Sequence, residues 1–117
     1  MEVLESRSGN TVIIDVRGRV DSNTARAFEE KLLGAVAPAD PALVVDCTQL
    51  DYISSAGLRV MLMAAKKVRA AKGRLALCGL RPHVREVFDV SGFSSLFLIH
   101  PARDAALAAV SQAGAPC

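Results

Sequence analysis

The strongest constraint on the fold is the alternation of short apolar runs with segments whose apolar residues recur at helical spacing. The short runs, rich in Val, Ile and Leu, lie at residues 3–6, 11–16, 42–47, 74–78 and 96–99. The helical segments begin after Asp21-Ser22-Asn23, after Ser54-Ser55, at Pro82 and at Ala102. Capping residues and a first-turn proline are typical helix starts, so each apolar run is a candidate strand and each spaced segment a candidate helix.

The order of these elements is ββαβαβαβα. Ser8-Gly9-Asn10 separates the first two runs and predicts a hairpin, so the first two strands are expected to be antiparallel. Each later strand is reached through a helix, and such crossovers connect parallel strands. The sequence therefore predicts a single small α/β domain with a mixed, mostly parallel sheet, an antiparallel edge hairpin and about four helices.

The length and composition agree with one compact domain. The chain has 117 residues, of which 51% are hydrophobic and 22% charged, as in an ordinary soluble domain. We expect the domain to occupy residues 1–112. Residues 113–117, which include Gly114-Ala115-Pro116, are expected to form a flexible C-terminal tail.

The charge pattern argues against nucleic-acid binding. The net charge is +2 with both signs interspersed, and the chain has no Trp, one Tyr and four Phe, so neither a basic patch nor a stacking platform is expected. The densest apolar stretch, residues 58–68, is shorter than the roughly 20 residues of a membrane span, and the N-terminus does not resemble a signal peptide. We expect a cytoplasmic protein with no nucleic-acid or membrane partner.

The cysteines indicate free thiols. Cys47, Cys78 and Cys117 are an odd number without close spacing. Cys47 and Cys78 lie in or at the end of apolar strands and are expected to be buried, whereas Cys117 is expected to be exposed. Since no His, Cys or carboxylate cluster has metal-ligand spacing and no Gly-rich nucleotide loop is present, we expect no cofactor and no metal site.

Residues 50–58, between the most central strand and the longest helix, form the candidate functional loop. Sheets of this class place function at the carboxyl ends of their strands. Ser54 and Ser55 would lie at a helix N-terminus, where free N–H groups and the helix dipole tolerate an anion such as phosphate. The alternative is that one of the two serines is only a helix cap.

A serine hydrolase is a further alternative. Ser55 and Gly57 fit the nucleophile elbow G-x-S-x-G, but Ile53 occupies its first glycine position. His83 and His100 could be proposed as bases, yet the short chain hardly accommodates the larger sheet, third partner and oxyanion loop of such enzymes. We therefore expect no catalytic residue and no enzymatic activity.

Several segments taken together carry a family resemblance. They are Gly18-Arg19-Val20-Asp21, Val44-Val45-Asp46, Leu50-Asp51-Tyr52-Ile53, Ser54-Ser55-Ala56-Gly57-Leu58, Gly73, Cys78-Gly79-Leu80-Arg81-Pro82-His83-Val84 and Val87-Phe88-Asp89-Val90-Ser91-Gly92. Over nearly its whole length the chain resembles the STAS family, and most closely the bacterial anti-sigma-factor antagonists.

The resemblance implies a phosphorylation switch. In these antagonists a loop serine is phosphorylated by a cognate anti-sigma factor that is also a serine kinase, and a metal-dependent phosphatase of the PP2C type usually resets the switch. The unphosphorylated form binds the kinase and frees the sigma factor. Ser55 matches the acceptor and Asp21 the acidic residue of the neighbouring loop, whereas Ser54 stands where the antagonists usually have Asp, so Ser54 is an alternative acceptor.

The same resemblance places a partner surface around this loop. The residues expected to contact the partner are Asp21, Ser22, Asn23, Asp51, Ser54, Ser55, Ala56, Gly57 and Arg59. Asp21 and Asp51 could equally be cap or turn residues. Arg59, Lys66, Lys67 and Arg69 share the longest helix, where a solvated face and a partner-contacting face both remain open.

Two classes of function therefore stay open from the sequence. The first is the phosphorylation-controlled antagonist, which we expect to be a monomer when free. The second is a STAS module without phosphorylation that acts as a subunit of a transporter or sensory complex.

Overall fold

The computed structural model describes residues 1–39 and 41–113 and has the α/β architecture that the sequence predicts. Its elements are β1 Glu2–Ser8, β2 Thr11–Val20, α1 Ala25–Gly34, β3 Ala42–Asp46, β4 Leu50–Ile53, α2 Ser55–Ala70, β5 Arg74–Cys78, α3 Pro82–Val90, a 3₁₀ turn Ser94–Leu96, β6 Leu98–His100 and α4 Arg103–Ala113. None of the helices seen in these residues has the length and apolarity needed to span a membrane.

The strands form one mixed sheet in the order β1-β2-β3-β5-β6, with β4 also paired to β2. β1 and β2 are antiparallel, which confirms the predicted edge hairpin. The other pairs are parallel. The carboxyl ends of the parallel strands therefore gather at one end of the sheet.

Strand β4 corrects the sequence prediction, which placed residues 50–53 in a loop. Leu50 and Ile53 are buried while Asp51 and Tyr52 are exposed, so the segment lacks the period-two alternation of a half-buried strand. β2 is ten residues long; its first half pairs with β3, and its last three residues pair with β4, with a register shift within this pairing between Gly18 and Arg19. The partner of β4 is thus distant in sequence, and local patterning does not reveal it.

Smaller differences concern element ends. The last strand begins at Leu98, because Leu96 belongs to the 3₁₀ turn, and α1 ends at Gly34, so that the buried Val36 lies beyond the helix. α4 reaches Ala113, the first residue of the predicted tail. The remainder of that tail, with Cys117, lies outside the described residues.

Helices cover both faces of the sheet. The larger core lies under α1, α2 and α3 and includes Phe28, Leu32, Met61 and Phe88, each fully buried. A smaller core lies under α4 and includes Val44, Ala106 and Val110. Since full burial of one such large side chain contributes about 1.5–3 kcal/mol, these two layers hold the strand ends in a fixed arrangement.

The prediction of buried thiols is confirmed for Cys47 and Cys78. Burial raises the pKa of the Cys47 thiol well above its ordinary value and raises that of Cys78 to about 12. Both sulfurs are therefore protonated at neutral pH, and protonated thiols are poor nucleophiles.

Candidate functional site

The predicted loops of Asp21 and of Ser54 meet at the carboxyl ends of β2 and β4. Val20 and Ile53 are paired in the parallel register, and the Ser54 N–H donates to the Val20 carbonyl oxygen at 2.8 Å. Asp21 and Ser54, the residues that follow the two paired positions, are therefore neighbours across the strands.

Ser54 is the N-cap of α2. Its backbone is extended, with φ −89° and ψ 174°, and its hydroxyl oxygen accepts a hydrogen bond from the Gly57 N–H at 3.3 Å. Its carbonyl oxygen accepts from the Leu58 N–H at 2.9 Å. The expectation that one of the two serines caps the helix is thus met by Ser54, which satisfies one of the free N–H groups of the first turn.

Ser55 has a different environment although it is adjacent. It is the first residue of α2 and is exposed, and its hydroxyl forms no hydrogen bond with any residue in the described part of the chain. The first turn of α2 holds no acidic residue. A negative charge placed on Ser55 would therefore meet the positive end of the helix dipole without a carboxylate in the same turn.

Gly57 brings the start of α2 close to the sheet. A Cβ at this position would lie 2.6 Å from Ile53 Cγ1 and 2.8 Å from Val20 Cγ1, distances at which atoms overlap. Only glycine lets the helix begin directly on the β2–β4 pair. The glycine of the Ser-Ser-Ala-Gly segment is therefore explained by packing, whereas the serines are explained by their hydroxyl chemistry.

Asp21 organises the neighbouring loop. Its Oδ1 accepts hydrogen bonds from the N–H of Asn23 at 2.9 Å and of Thr24 at 3.3 Å. The bond from Asn23 is the main cause that lowers the pKa of this carboxyl. Ser22 and Asn23 are exposed beside it, so the loop presents polar groups on a hydrogen-bonded turn.

The structure places Asp51 against the start of α3. Its carboxylate accepts from Arg81 Nη1, and its carbonyl oxygen lies 2.6 Å from His83 Nε2. Arg81 Nε also donates to the carbonyl oxygen of Thr48 at 3.0 Å. These contacts link α3 to the strand that precedes Ser55.

Two site-adjacent residues were not among the predicted contacts. Arg19 and Tyr52 are paired across β2 and β4, and the Arg19 guanidinium lies 4.4 Å from the centre of the Tyr52 ring. Both belong to the quoted family segments, but their meeting depends on the unpredicted strand β4. Arg59, which was predicted, is exposed on α2 one helical turn after Ser55.

A separate polar cluster lies under α4. Asp15, Asp46, Cys78 and His100 occupy one register row across β2, β3, β5 and β6. Arg103 donates to Asp46 Oδ2 from Nε at 2.9 Å. Within residues 1–39 and 41–113, no three His, Cys, Asp or Glu side chains are arranged to hold a metal ion.

Comparison with known proteins shows which domain family the chain matches. Residues 3–100 match the family model described as Mlab, STAS domain. BtrV of Bordetella bronchiseptica, whose assignment as an anti-sigma factor antagonist is itself provisional, is 43% identical over 97% of each chain.

Solved structures share the fold. An anti-sigma factor antagonist from Mycobacterium paratuberculosis superposes with a TM-score of 0.82 and 25% identity, over 94% of this chain and 93% of that one. The unphosphorylated form of SpoIIAA, an anti-sigma factor antagonist, gives a TM-score of 0.77 with 21% identity, over 95% and 97% of the two chains. At that identity the second comparison concerns the fold alone.

Proposed function

Since the chain belongs to the STAS domain family, we propose that it is an anti-sigma-factor antagonist controlled by phosphorylation of Ser55. In this proposal the unphosphorylated form binds a cognate anti-sigma factor that is also a serine kinase, and the sigma factor is released. Phosphorylated Ser55 prevents that binding, and a PP2C-type phosphatase restores it. The protein acts in the cytoplasm as a regulator and not as an enzyme.

The observation that carries the proposal is the different use of two adjacent hydroxyls. The Ser54 oxygen is occupied by the Gly57 N–H in the helix cap, whereas the Ser55 hydroxyl is exposed and has no hydrogen bond within the described residues. Transfer of phosphate to Ser54 would modify the oxygen that caps α2. Ser55 can accept phosphate with the cap intact, so we assign it as the acceptor.

The effect of phosphorylation follows from charge and solvation. A phosphoserine adds about −1.5 to −2 charges at pH 7, which brings the chain from +2 to near neutrality and concentrates the change at one loop. The N-terminus of α2 favours an anion, so the fold is retained. A partner that covers the loop must desolvate the added charge, so binding weakens.

The position of the loop supports a partner-binding role. Exposed groups from two loops, Ser22 and Asn23 after β2 and Ser55 after β4, lie at one end of the sheet. The name of a relative agrees, because the protein that is 43% identical over nearly the whole chain is provisionally described as an anti-sigma factor antagonist.

Intact-mass spectrometry tests the assignment. The wild type, Ser55→Ala, Ser54→Ala and the control Ser6→Ala, at an exposed position on β1 away from the loop, are incubated with ATP and a purified anti-sigma factor kinase from the same bacterium. We expect one added phosphate in every protein except Ser55→Ala. Far-UV circular dichroism confirms that each variant is folded, since Ser54→Ala also removes a helix cap.

Two results would contradict the proposal. Phosphate lost only in Ser54→Ala would move the acceptor by one residue. Absence of any phosphate, while the same kinase binds the wild type, would favour a STAS module that binds its partner without phosphorylation, as in a transporter or sensory complex.

A further inference from the structure

We infer that the exposed face of α2 is a second part of the partner surface and docks on an acidic surface of the same anti-sigma factor. The residues that form this face are Arg59, Met63, Lys66 and Arg69, and we call them the α2 stripe. The inference rests on the proposed function and extends the contact from Ser55 along the helix.

Positive charge is concentrated on α2. The helix, Ser55–Ala70, contains Arg59, Lys66, Lys67 and Arg69 and no Asp or Glu. It therefore carries +4 in a chain whose net charge is +2, so that all other residues together carry −2. A merely solvated helix face usually mixes both signs, and a patch of one sign attracts a partner of the opposite sign.

The stripe is one continuous surface that starts at the acceptor serine. Positions 55, 59, 63, 66 and 69 follow the three- and four-residue spacing that places side chains on one helix face. With a rise of about 1.5 Å per residue the stripe extends about 21 Å from Ser55. A partner that covers the Ser55 loop is therefore adjacent to the stripe.

The charged groups of the stripe have no partners of their own. Arg59, Lys66 and Arg69 are exposed, and none forms a hydrogen bond or ion pair with another residue in the two described ranges. Lys67 differs, because its Nζ donates to the Leu33 carbonyl oxygen at 2.9 Å and is engaged with α1. The three free cations are thus available to an external carboxylate.

An apolar side chain lies in the middle of these cations. Met63 is 36% exposed and follows Arg59 by one helical turn. Met and Arg are enriched in protein interfaces, where an apolar centre is surrounded by polar groups. The stripe therefore fits a surface that offers carboxylates around an apolar recess.

This arrangement also strengthens the proposed switch. Phosphate on Ser55 would place its negative charge at the start of the stripe, four residues before Arg59, where opposite charges on a helix attract. The same phosphate would repel the acidic partner surface. Phosphorylation thus weakens the attraction between the stripe and the acidic partner surface, and it also adds a negative charge to the loop that the partner covers.

Binding kinetics test the inference. The purified anti-sigma factor kinase is immobilised, and association and dissociation rates are measured for the wild type, Arg59→Glu, Lys66→Glu and Met63→Ala in 50 and 300 mM salt. The matched control is Arg7→Glu, which makes the same charge change on the exposed β1 strand, at the hairpin end of the sheet opposite to Ser55. Circular dichroism confirms folding of each variant.

The association rate reports on the charged residues of the α2 stripe, and the dissociation rate reports on Met63. We expect each α2 charge reversal to lower the association rate about 3- to 10-fold in low salt, with less loss in high salt, because steering by exposed charge is screened. Met63→Ala should raise the dissociation rate about 3- to 10-fold, since buried apolar contacts act mainly on dissociation. Arg7→Glu should bind as the wild type does within about twofold.

Two outcomes separate failure of the inference from failure of the proposed function. Wild-type binding that is unchanged by the α2 variants, or reduced equally by Arg7→Glu, would overturn the α2 stripe and leave the Ser55 switch standing. Absence of wild-type binding to anti-sigma factors would overturn both.

Discussion

The Ser54 hydroxyl oxygen accepts a hydrogen bond from the Gly57 N–H at 3.3 Å, which connects the cap of α2 to a glycine packed directly on β2 and β4. The hydrogen bond and the close packing both fix the first turn of α2. Together they determine where the helix begins and leave the intervening Ser55 exposed.

The close packing of Gly57 predicts that adding a single methyl group there lowers the unfolding free energy substantially. Gly57→Ala would place a Cβ within 2.8 Å of both Val20 and Ile53 side chains, and such overpacking costs about 1–3 kcal/mol of unfolding free energy. Urea unfolding followed by circular dichroism measures this loss. The control is Gly34→Ala, where no atom lies within 4 Å of the new Cβ; an equal loss in both variants would contradict the packing argument.

The two serines should differ in stability when each is replaced. Ser54→Ala removes the N-cap bond and should lower the unfolding free energy by about 1 kcal/mol. Ser55→Ala, at an exposed position, should change it by less than about 0.5 kcal/mol. Thermal unfolding of the two variants gives the comparison, and a larger loss for Ser55→Ala would show that the cap has been assigned to the wrong serine.

The cluster under α4 predicts a loss of stability in acid. Asp46 is 7% exposed, and although burial opposes ionisation, hydrogen bonds from Thr48 and Arg103 outweigh it and lower the pKa of this carboxyl below its ordinary value. Since the pKa is lower in the folded state, the stabilisation is present above about pH 4. It is lost as the pH falls through the folded-state value.

Asp46→Asn tests this pH dependence. The variant should unfold more easily at pH 7, by about 1–3 kcal/mol, because Arg103 and Thr48 lose a charged acceptor. The difference from the wild type should shrink as the pH is lowered toward 2. Urea midpoints measured between pH 7 and pH 2 give the curve, with the exposed Glu5→Gln as a control; a constant difference would contradict the linkage.

The end of α2 offers a stabilising substitution. Lys72 has a φ of 62°, in the left-handed region that favours glycine, so Lys72→Gly should raise the unfolding free energy by about 0.5–1 kcal/mol. Ala71→Gly, with a φ of −87° next to it, should lower it by about 0.5 kcal/mol. Chemical unfolding of both variants decides whether the gain depends on backbone conformation.

Much of the fold was predictable because it depends on neighbouring residues. Ser8-Gly9-Asn10 predicts the hairpin, Pro82 predicts the first turn of α3, and the burial of Cys47 and Cys78 follows from their apolar runs. The hairpin and the helix start are decided by interactions within a few positions, and the two burials are signalled by the apolar residues beside each cysteine in the sequence. The family resemblance likewise depends on short segments that can be read in order.

The sequence by itself determined the order of the strands and helices other than β4, the turn of the β1–β2 hairpin and the presence of two serines at the start of the longest helix. Tertiary structure alone decided that Leu50–Ile53 is a strand, that Asp51 contacts Arg81, and that Ser54 caps the helix while Ser55 faces outward. The physical reason is the distance along the sequence between the groups that interact. Caps and turns are stabilised by nearby groups, whereas β4 is stabilised by pairing with Gly18–Val20, some thirty residues earlier, and a hydroxyl is free or occupied only once the helix has docked on that pair.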